Sequence, residues 1–184
     1  MIYCISDVHG EYDLFERLLD KIGFSDGDLL YISGDVIEKG ERSLKLAKRV
    51  AGMPNVRTIL GNHEYTFQKF YRSILEQTTD DFDGALERIR SFFPVDRELL
   101  DWDLIDWFKD PGVIQTSPKC VFFGHTQTNC ICGEPRILCY PRDPNRPAET
   151  VADFYKIHLD TGTWSNGVLG CFSVDTLETV YVTK

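Results

Sequence analysis

The sequence predicts an α/β fold with a parallel βαβαβ N-terminal half and antiparallel C-terminal strands. Short β-type apolar runs alternate with segments of helical periodicity from Ile2 to Leu60. Three further β runs close the chain with no long helical pattern between them. The 184 residues, 42% hydrophobic and 27% charged, suit one soluble domain with a core of its own. Residues 1–184 are therefore read as a single domain.

Each element has its own signal. Ile2-Tyr3-Cys4-Ile5 is a β run, and Leu14, Phe15, Leu18, Leu19 and Ile22 recur at helical spacing until Gly23 stops the pattern. Leu29 to Ser33 is the second strand, and Leu44, Leu46, Ala47 and Val50 form an amphipathic stretch ending at Gly52. Val56 to Leu60 is the third strand, and this order implies parallel strands with right-handed crossovers. Phe67, Phe70, Tyr71, Ile74 and Leu75 continue a helix out of Glu64, and Leu86, Ile89, Phe92 and Phe93 form another before Pro94. From Glu98 to Asp110, Asp101, Asp103 and Asp106 alternate with Leu99, Leu100, Trp102, Trp107 and Phe108, the pattern of a cap with a solvated acidic face. Residues 65–118 are thus a helical cap or insert. Cys120 to Phe123 resumes strand character, residues 133–153 read as a long loop, and Tyr155 to Leu159, Val168 to Val174 and Thr179 to Val182 are the closing strands.

Composition excludes several classes of function. Lys plus Arg is 20 against 29 for Asp plus Glu, a net charge of −9 that repels a nucleic-acid backbone, so no nucleic-acid partner is expected. No apolar run approaches the roughly 18 residues of a membrane span and no basic leader precedes Ile2, so the expectation is a cytoplasmic chain with no membrane partner. Nothing sets an oligomeric state. The six cysteines read as reduced thiols. Cys130, Cys132 and Cys139 would give a zinc ion three ligands with no fourth nearby, which argues against a structural zinc site.

The chemistry gathers where strands end. Ser6-Asp7-Val8-His9-Gly10 follows the first strand, Gly34-Asp35-Val36-Ile37-Glu38-Lys39-Gly40 the second, and Gly61-Asn62-His63-Glu64 the third. Each strand-helix-strand step returns the chain to the same edge, so Asp7, Asp35 and Asn62 should meet at the carboxyl ends of adjacent strands. Asp7 and His9 supply a hard oxygen and an imidazole, and the two oxygens of Asp35 can bridge two cations. Asn62 adds a neutral oxygen, and Gly124-His125-Thr126 adds an imidazole after a later strand. A single Asp after a strand is usually a cap or turn former, but four such segments in order are not explained that way.

D-x-H-G, G-D-x-x-x-x-G, G-N-H-E and G-H-T, followed by Asp160-Thr161-Gly162, resemble the calcineurin-like metallophosphoesterases. The branch they resemble contains bacterial Ser/Thr protein phosphatases and symmetrical diadenosine-tetraphosphate hydrolases. The resemblance spans Ser6 to Gly162 and implies a β-sandwich flanked by helices, two divalent metal ions (Mn, or Fe/Zn) and a bound hydroxide as nucleophile. It makes Asp7, His9 and Asp35 ligands of one ion, and Asp35, Asn62 and His125 ligands of the other. His63 becomes the general acid, Glu38 the carboxylate that orients it, and Lys39 with Asn62 the grip on the substrate phosphate.

The sequence departs from that pattern in places. Glu38-Lys39 stands where the family usually has Asp then Arg, so the partner of His63 is one methylene longer and the phosphate grip is a point charge rather than a fork. Ser6 replaces a common Gly. No histidine lies between residues 64 and 124, where the family carries another metal ligand; the histidines are His9, His63, His125 and His158. Near the position of a second phosphate-binding Arg stands only Lys109, and the chain is short, as if a segment near Phe93-Pro94 were absent. The second metal site is therefore expected to be the weaker one, with His158, which shares a strand face with Asp160, as the one candidate substitute ligand. The expected activity is hydrolysis of phosphomonoesters of a phosphorylated Ser/Thr protein or small phosphoester. The alternatives are a nucleoside polyphosphate hydrolase or a catalytically impaired phosphate-binding module.

Overall fold

The structure is a computed structural model that describes residues 1–68 and 119–184. A five-stranded sheet is built from β1 (Ile2–Ile5), β2 (Leu29–Ile32), β3 (Val56–Thr58), β7 (Val168–Ser173) and β8 (Thr179–Thr183), in the order β3-β2-β1-β7-β8. β1, β2 and β3 pair in parallel, while β7 runs antiparallel to both β1 and β8. A three-stranded sheet of β4 (Val121–Phe123), β5 (Leu138–Pro141) and β6 (Phe154–His158) has β6 in the middle, parallel to β4 and antiparallel to β5.

Period-2 alternation assigns each face of the larger sheet to a different core. Tyr3, Ile5, Leu169 and Cys171 face the helices α1 (Tyr12–Ile22) and α2 (Ser43–Ala51), packing with Leu14, Phe15, Leu18 and Leu46. Cys4 and Phe172 point the other way, onto Ile157, Leu159, Phe154 and Ile137 of the smaller sheet and its flanks. The Phe172 ring lies 5.9 Å from Phe122 and 6.3 Å, edge-on, from Phe154. The result is an α/β sandwich with mixed parallel and antiparallel sheets, helices on the outer face of the larger one. α1 stops where expected, because Gly23 takes a left-handed φ of 62° and its N–H caps the Asp20 and Leu19 carbonyls.

Three expected boundaries shift. β3 ends at Thr58, leaving Ile59 and Leu60 exposed before the turn into Gly61. The stretch 133–153 read as a loop contains β5, whose apolar Leu138, Cys139 and Tyr140 are masked by surrounding Pro and Arg; Pro141 is tolerated because β5 is an edge strand. β6, expected to pair within a C-terminal hairpin series, leaves the larger sheet and lies between β4 and β5, so only β7 and β8 form such a hairpin. The predicted cap helices of residues 69–118, with Lys109, lie outside the described residues. No helix among the described residues is long and apolar enough to cross a membrane.

Candidate metal centre

The loops that leave β1, β2 and β4 are held in unusual backbone geometry. Asp7 (φ 52°), His9 (49°), Asp35 (54°), Glu38 (65°), Lys39 (63°) and His125 (79°) are six of the seven non-glycine residues with positive φ among those described. This left-handed region is disfavoured for L side chains, and its concentration at strand ends marks a place where side-chain direction outweighs local strain. The loops brace one another through backbone bonds: His9 N–H to Asp35 O at 2.9 Å, Gly10 N–H to Val36 O at 2.8 Å, and Gly40 N–H to His9 O at 2.8 Å. Glycine is required at two contact points, since a Cβ on Gly61 would collide with the Asp35 carboxylate and one on Gly124 with that of Asp7.

Within this frame the carboxylates converge. Asp7, Asp35 and Asp160 are all buried. The His125 N–H donates to both Asp7 oxygens at 3.2 and 3.0 Å, and the His63 N–H donates to Asp35 Oδ1 at 3.0 Å. Burial, then the charges of Asp160 and Asp35, push the Asp7 carboxyl well above its ordinary value. Burial likewise raises Asp160 to about 6, with Asp35 adding repulsion and Lys39 and the Gly162 N–H opposing it. Like charges gathered out of water are costly unless a cation joins them. A hard divalent cation suits this donor set of carboxylate oxygens and neutral imidazole, so the residues fit the metal that the resemblance implies.

The imidazoles are disposed around the acids. Among the described residues, His9, Asp35 and His63 bring ligand atoms within 4.8 Å of one another, enough for one divalent-metal site. The His9 and His63 rings meet edge-to-face at 4.8 Å, and His9 Nε2 lies 3.8 Å from Asp7 Oδ1. Burial, then the Lys39 and His63 charges, lowers His9 to about 3, keeping it a neutral donor near pH 7. The Lys39 ammonium lies 3.1 Å from His9 Nε2, so it shares the lone pair that His9 would offer a metal. His63 Nδ1 is 2.6 Å from Glu38 Oε2, which leaves Nε2 as the ring atom turned to other partners. His125 Nδ1 is 2.8 Å from Asn62 Oδ1, bringing the β4 turn onto the start of α3, helical from residue 62 through 68.

Asp7, His9, Asp35, Glu38, Lys39, Asn62, His63 and His125 thus form one connected group. His158 stands at the end of β6, fully buried, its ring stacked on Phe123 at 4.3 Å. Burial lowers it to about 4, with the Thr126 backbone opposing that shift.

Two contributors had no role in the sequence reading. The Glu64 carboxylate accepts from the Asp35, Ile37 and Gly61 N–H groups at 2.8, 3.0 and 2.9 Å, tying the β2 loop to the β3 loop. Its signal was the helix start itself, because a Glu two residues after the first helical residue commonly reaches back to the capping backbone N–H. Asp160 entered the sequence reading as part of a motif and as the neighbour of His158, with no role of its own. Its position one residue beyond the apolar core residue Leu159 is what aims it into the acid group.

The comparisons agree with this geometry. The symmetrical bis(5′-nucleosyl)-tetraphosphatase of Delftia acidovorans is 35% identical over 103 residues, 55% of this chain and 35% of that protein. The enzyme of the same description from Baumannia cicadellinicola is 30% identical over 119 residues, 64% of this chain and 38% of that protein. The chain spans little more than a third of these curated relatives. A crystal structure described as a candidate diadenosine tetraphosphatase superposes with a TM-score of 0.60 at 16% identity, covering 99% of this chain and 92% of its own. A metallophosphoesterase from Sphaerobacter thermophilus gives 0.51, also at 16% identity, covering 100% and 87%; both likenesses are of fold. The profile of the calcineurin-like phosphoesterases matches residues 1–159, the span that carries every strand-end residue above except Asp160: this chain belongs to that family.

Proposed function

We propose that the chain is a metal-dependent hydrolase of nucleoside polyphosphates, cleaving a phosphoric anhydride of the diadenosine-tetraphosphate kind. The observation that carries the chemistry is the Glu38–His63 pair, 2.6 Å apart, beside the buried Asp7–Asp35 acids. The substrate class rests on the relatives, which are described as symmetrical tetraphosphatases. A phosphorylated protein, the substrate expected from the sequence, has less support.

Asp7, His9 and Asp35 would hold one divalent cation, and Asp35, Asn62 and His125 a second. When bound, such ions acidify water and neutralise phosphoryl oxygens. Glu38 accepts from His63 Nδ1–H and orients the ring, so that Nε2 faces the departing phosphate oxygen it would protonate. That role excludes His63 from ligating a metal through the same nitrogen. Lys39, free to leave His9 when a metal takes its lone pair, supplies a positive charge to the phosphoryl group as a point contact. Glu64 holds Asp35 and the start of α3 in register, a positioning role.

The test is Mn²⁺-dependent hydrolysis of diadenosine tetraphosphate beside a phosphoserine peptide and p-nitrophenyl phosphate. A kcat/KM at least about tenfold higher for the dinucleotide supports the proposal. Preference for the phosphopeptide would restore the protein phosphatase reading, and no turnover of any of the three would leave a phosphate-binding module.

A further inference from the structure

A groove of about 400 Å³ opens beside the metal centre, lined by Gly10, Tyr12, Lys39, Arg42, Trp164 and Lys184 together with the acids Glu11, Asp13 and Glu41. Its volume is in the range of small-molecule sites. It shares Gly10 and Lys39 with the loops described above, so whatever fills it reaches the phosphoryl position by way of Lys39.

The lining says what it suits. Its cations Lys39, Arg42 and Lys184 are matched by Glu11, Asp13 and Glu41, and two of them are already engaged, Lys184 Nζ with Glu11 at 2.8 Å and Arg42 with Asp13 at 2.5 Å. A charge-balanced wall offers little to a chain of phosphates. It offers acceptors and donors for hydroxyls and amines, beside one large aromatic face.

That face is Trp164, 49% exposed although it sits between two buried segments. Its turn, Thr163–Asn166, is pinned at both ends: Gly162 and Gly167 take left-handed φ of 73° and 66°, and Asn166 N–H donates to Gly162 O at 2.7 Å. Thr161 Oγ1 donates to Val168 O at 2.7 Å and accepts from Gly170 N–H at 3.1 Å, joining the turn to β7. The backbone that carries the indole is therefore held in place. The same short segment sends Asp160 into the acid group and Trp164 into the groove lining, so one turn links the acid end to the aromatic end.

We propose that this groove is the nucleoside subsite, with Trp164 stacking the base and the Glu11, Asp13 and Glu41 carboxylates accepting from hydroxyl or exocyclic amine groups. The assignment rests on the reading of the chain as a nucleoside polyphosphate hydrolase. Stacking is tolerant of base identity, so the subsite discriminates nucleotides from bare phosphates more strongly than adenine from guanine.

The experiment is calorimetric titration of the Mn²⁺-loaded protein with α,β-methylene ADP and with methylenediphosphonate, which share a non-hydrolysable phosphonate pair and differ by the nucleoside. Wild type binds the nucleotide about 10- to 100-fold more tightly, Trp164→Ala loses most of that advantage, and Trp164→Phe keeps most of it. Equal affinities in wild type, or an advantage undiminished in Trp164→Ala with a native circular dichroism spectrum, overturn the subsite. Turnover of diadenosine tetraphosphate by wild type is measured in parallel. Turnover without a nucleoside advantage removes the subsite and leaves the proposed activity standing, whereas an advantage that Trp164→Ala removes, without turnover, keeps the subsite and removes the activity.

Discussion

At the carboxyl edge of the five-stranded sheet Asp7, His9 and Asp35 are buried on left-handed backbone, whereas Lys156 and His158 of the smaller sheet are equally buried on regular strand. The first group faces its own kind: acids beside acids, imidazole beside imidazole, with Lys39 the cation among them. The second faces rings. The Lys156 Nζ stands 4.4 Å over Tyr140 and 5.9 Å over Phe123 and Tyr155, and His158 stacks on Phe123. Burial of an ionisable group is common to both regions and so distinguishes neither. Strain combined with convergence of like charges occurs only at the first, and it is that combination which points to a ligand.

The largest effect expected at the first region is from Asp35→Asn. The amide keeps an oxygen to accept from the His63 N–H, so the fold stands, while the charge that would join two cations is gone. Turnover should fall to background with unchanged thermal unfolding. Activity within about tenfold of wild type would separate Asp35 from the chemistry. His63→Asn comes next, with kcat lowered about 10²- to 10⁴-fold, the usual worth of a general acid. The effect should be smaller on a substrate with an acidic leaving group such as p-nitrophenol, which needs no proton. Equal losses on both substrates would favour His63 as a metal ligand instead.

The difference between the regions also governs what could be read in advance. The meeting of Asp7, Asp35 and Asn62 was legible because strand-helix-strand spacing returns each of them to one edge, a property of chain topology, whereas His125 comes from β4 of the other sheet and was legible only as a further polar group after a strand. The Glu38–His63 pairing was legible through motif resemblance, and the 2.6 Å contact agrees with it despite the longer Glu side chain. Glu64 was missed because its work is done on backbone N–H groups, which carry no residue identity. β5 was missed because edge strands need no strong apolar pattern and tolerate Pro141. His158 was singled out because it shares a strand face with Asp160; the Phe123 ring stacked on it could not be read from that spacing.

Glu64→Gln tests whether loop bracing matters to the first region. One carboxylate oxygen that accepts from N–H groups becomes an amide NH2, a donor facing donors, and hydrogen bonds to charged acceptors contribute about 1.5–3 kcal/mol. The variant should unfold at lower denaturant concentration by about that amount and lose kcat more than KM, since Asp35 and the start of α3 drift together. Unchanged kcat with lowered stability would confine Glu64 to folding. His158→Ala tests the other side. Removing a buried ring should cost about 2–4 kcal/mol by leaving a cavity. Metal content after dialysis should match that of wild type, in which a second ion is expected to be held more weakly than the first. A drop by one ion in the variant would instead make His158 a ligand.

The smallest effect on activity belongs to Lys156→Met. Nothing at the metal centre is expected to depend on Lys156, so kcat/KM should stay within about twofold of wild type. Stability carries the information. Burial lowers the Lys156 pKa below its ordinary 10.5, so in the interval between the two values the folded protein binds fewer protons than the unfolded chain. Stability contributed by this group therefore rises with pH across that interval, and below it the charged form carries its desolvation cost in full. Tyr140 and Tyr155, which face the ammonium, and the neighbouring His158 are present in both proteins; burial raises the Tyr140 pKa and lowers that of His158 to about 4, so His158 stays neutral throughout. Methionine fills the same space with no charge to desolvate, at the loss of a cation–π contact of about 2 kcal/mol. The stability of the Met variant relative to wild type should accordingly be greatest near pH 7 and shrink towards about pH 10, as read from urea denaturation at each pH. A difference that stays constant or widens with pH would overturn the account of Lys156 as a cation that burial destabilises, and would remove the contrast between the two sheets.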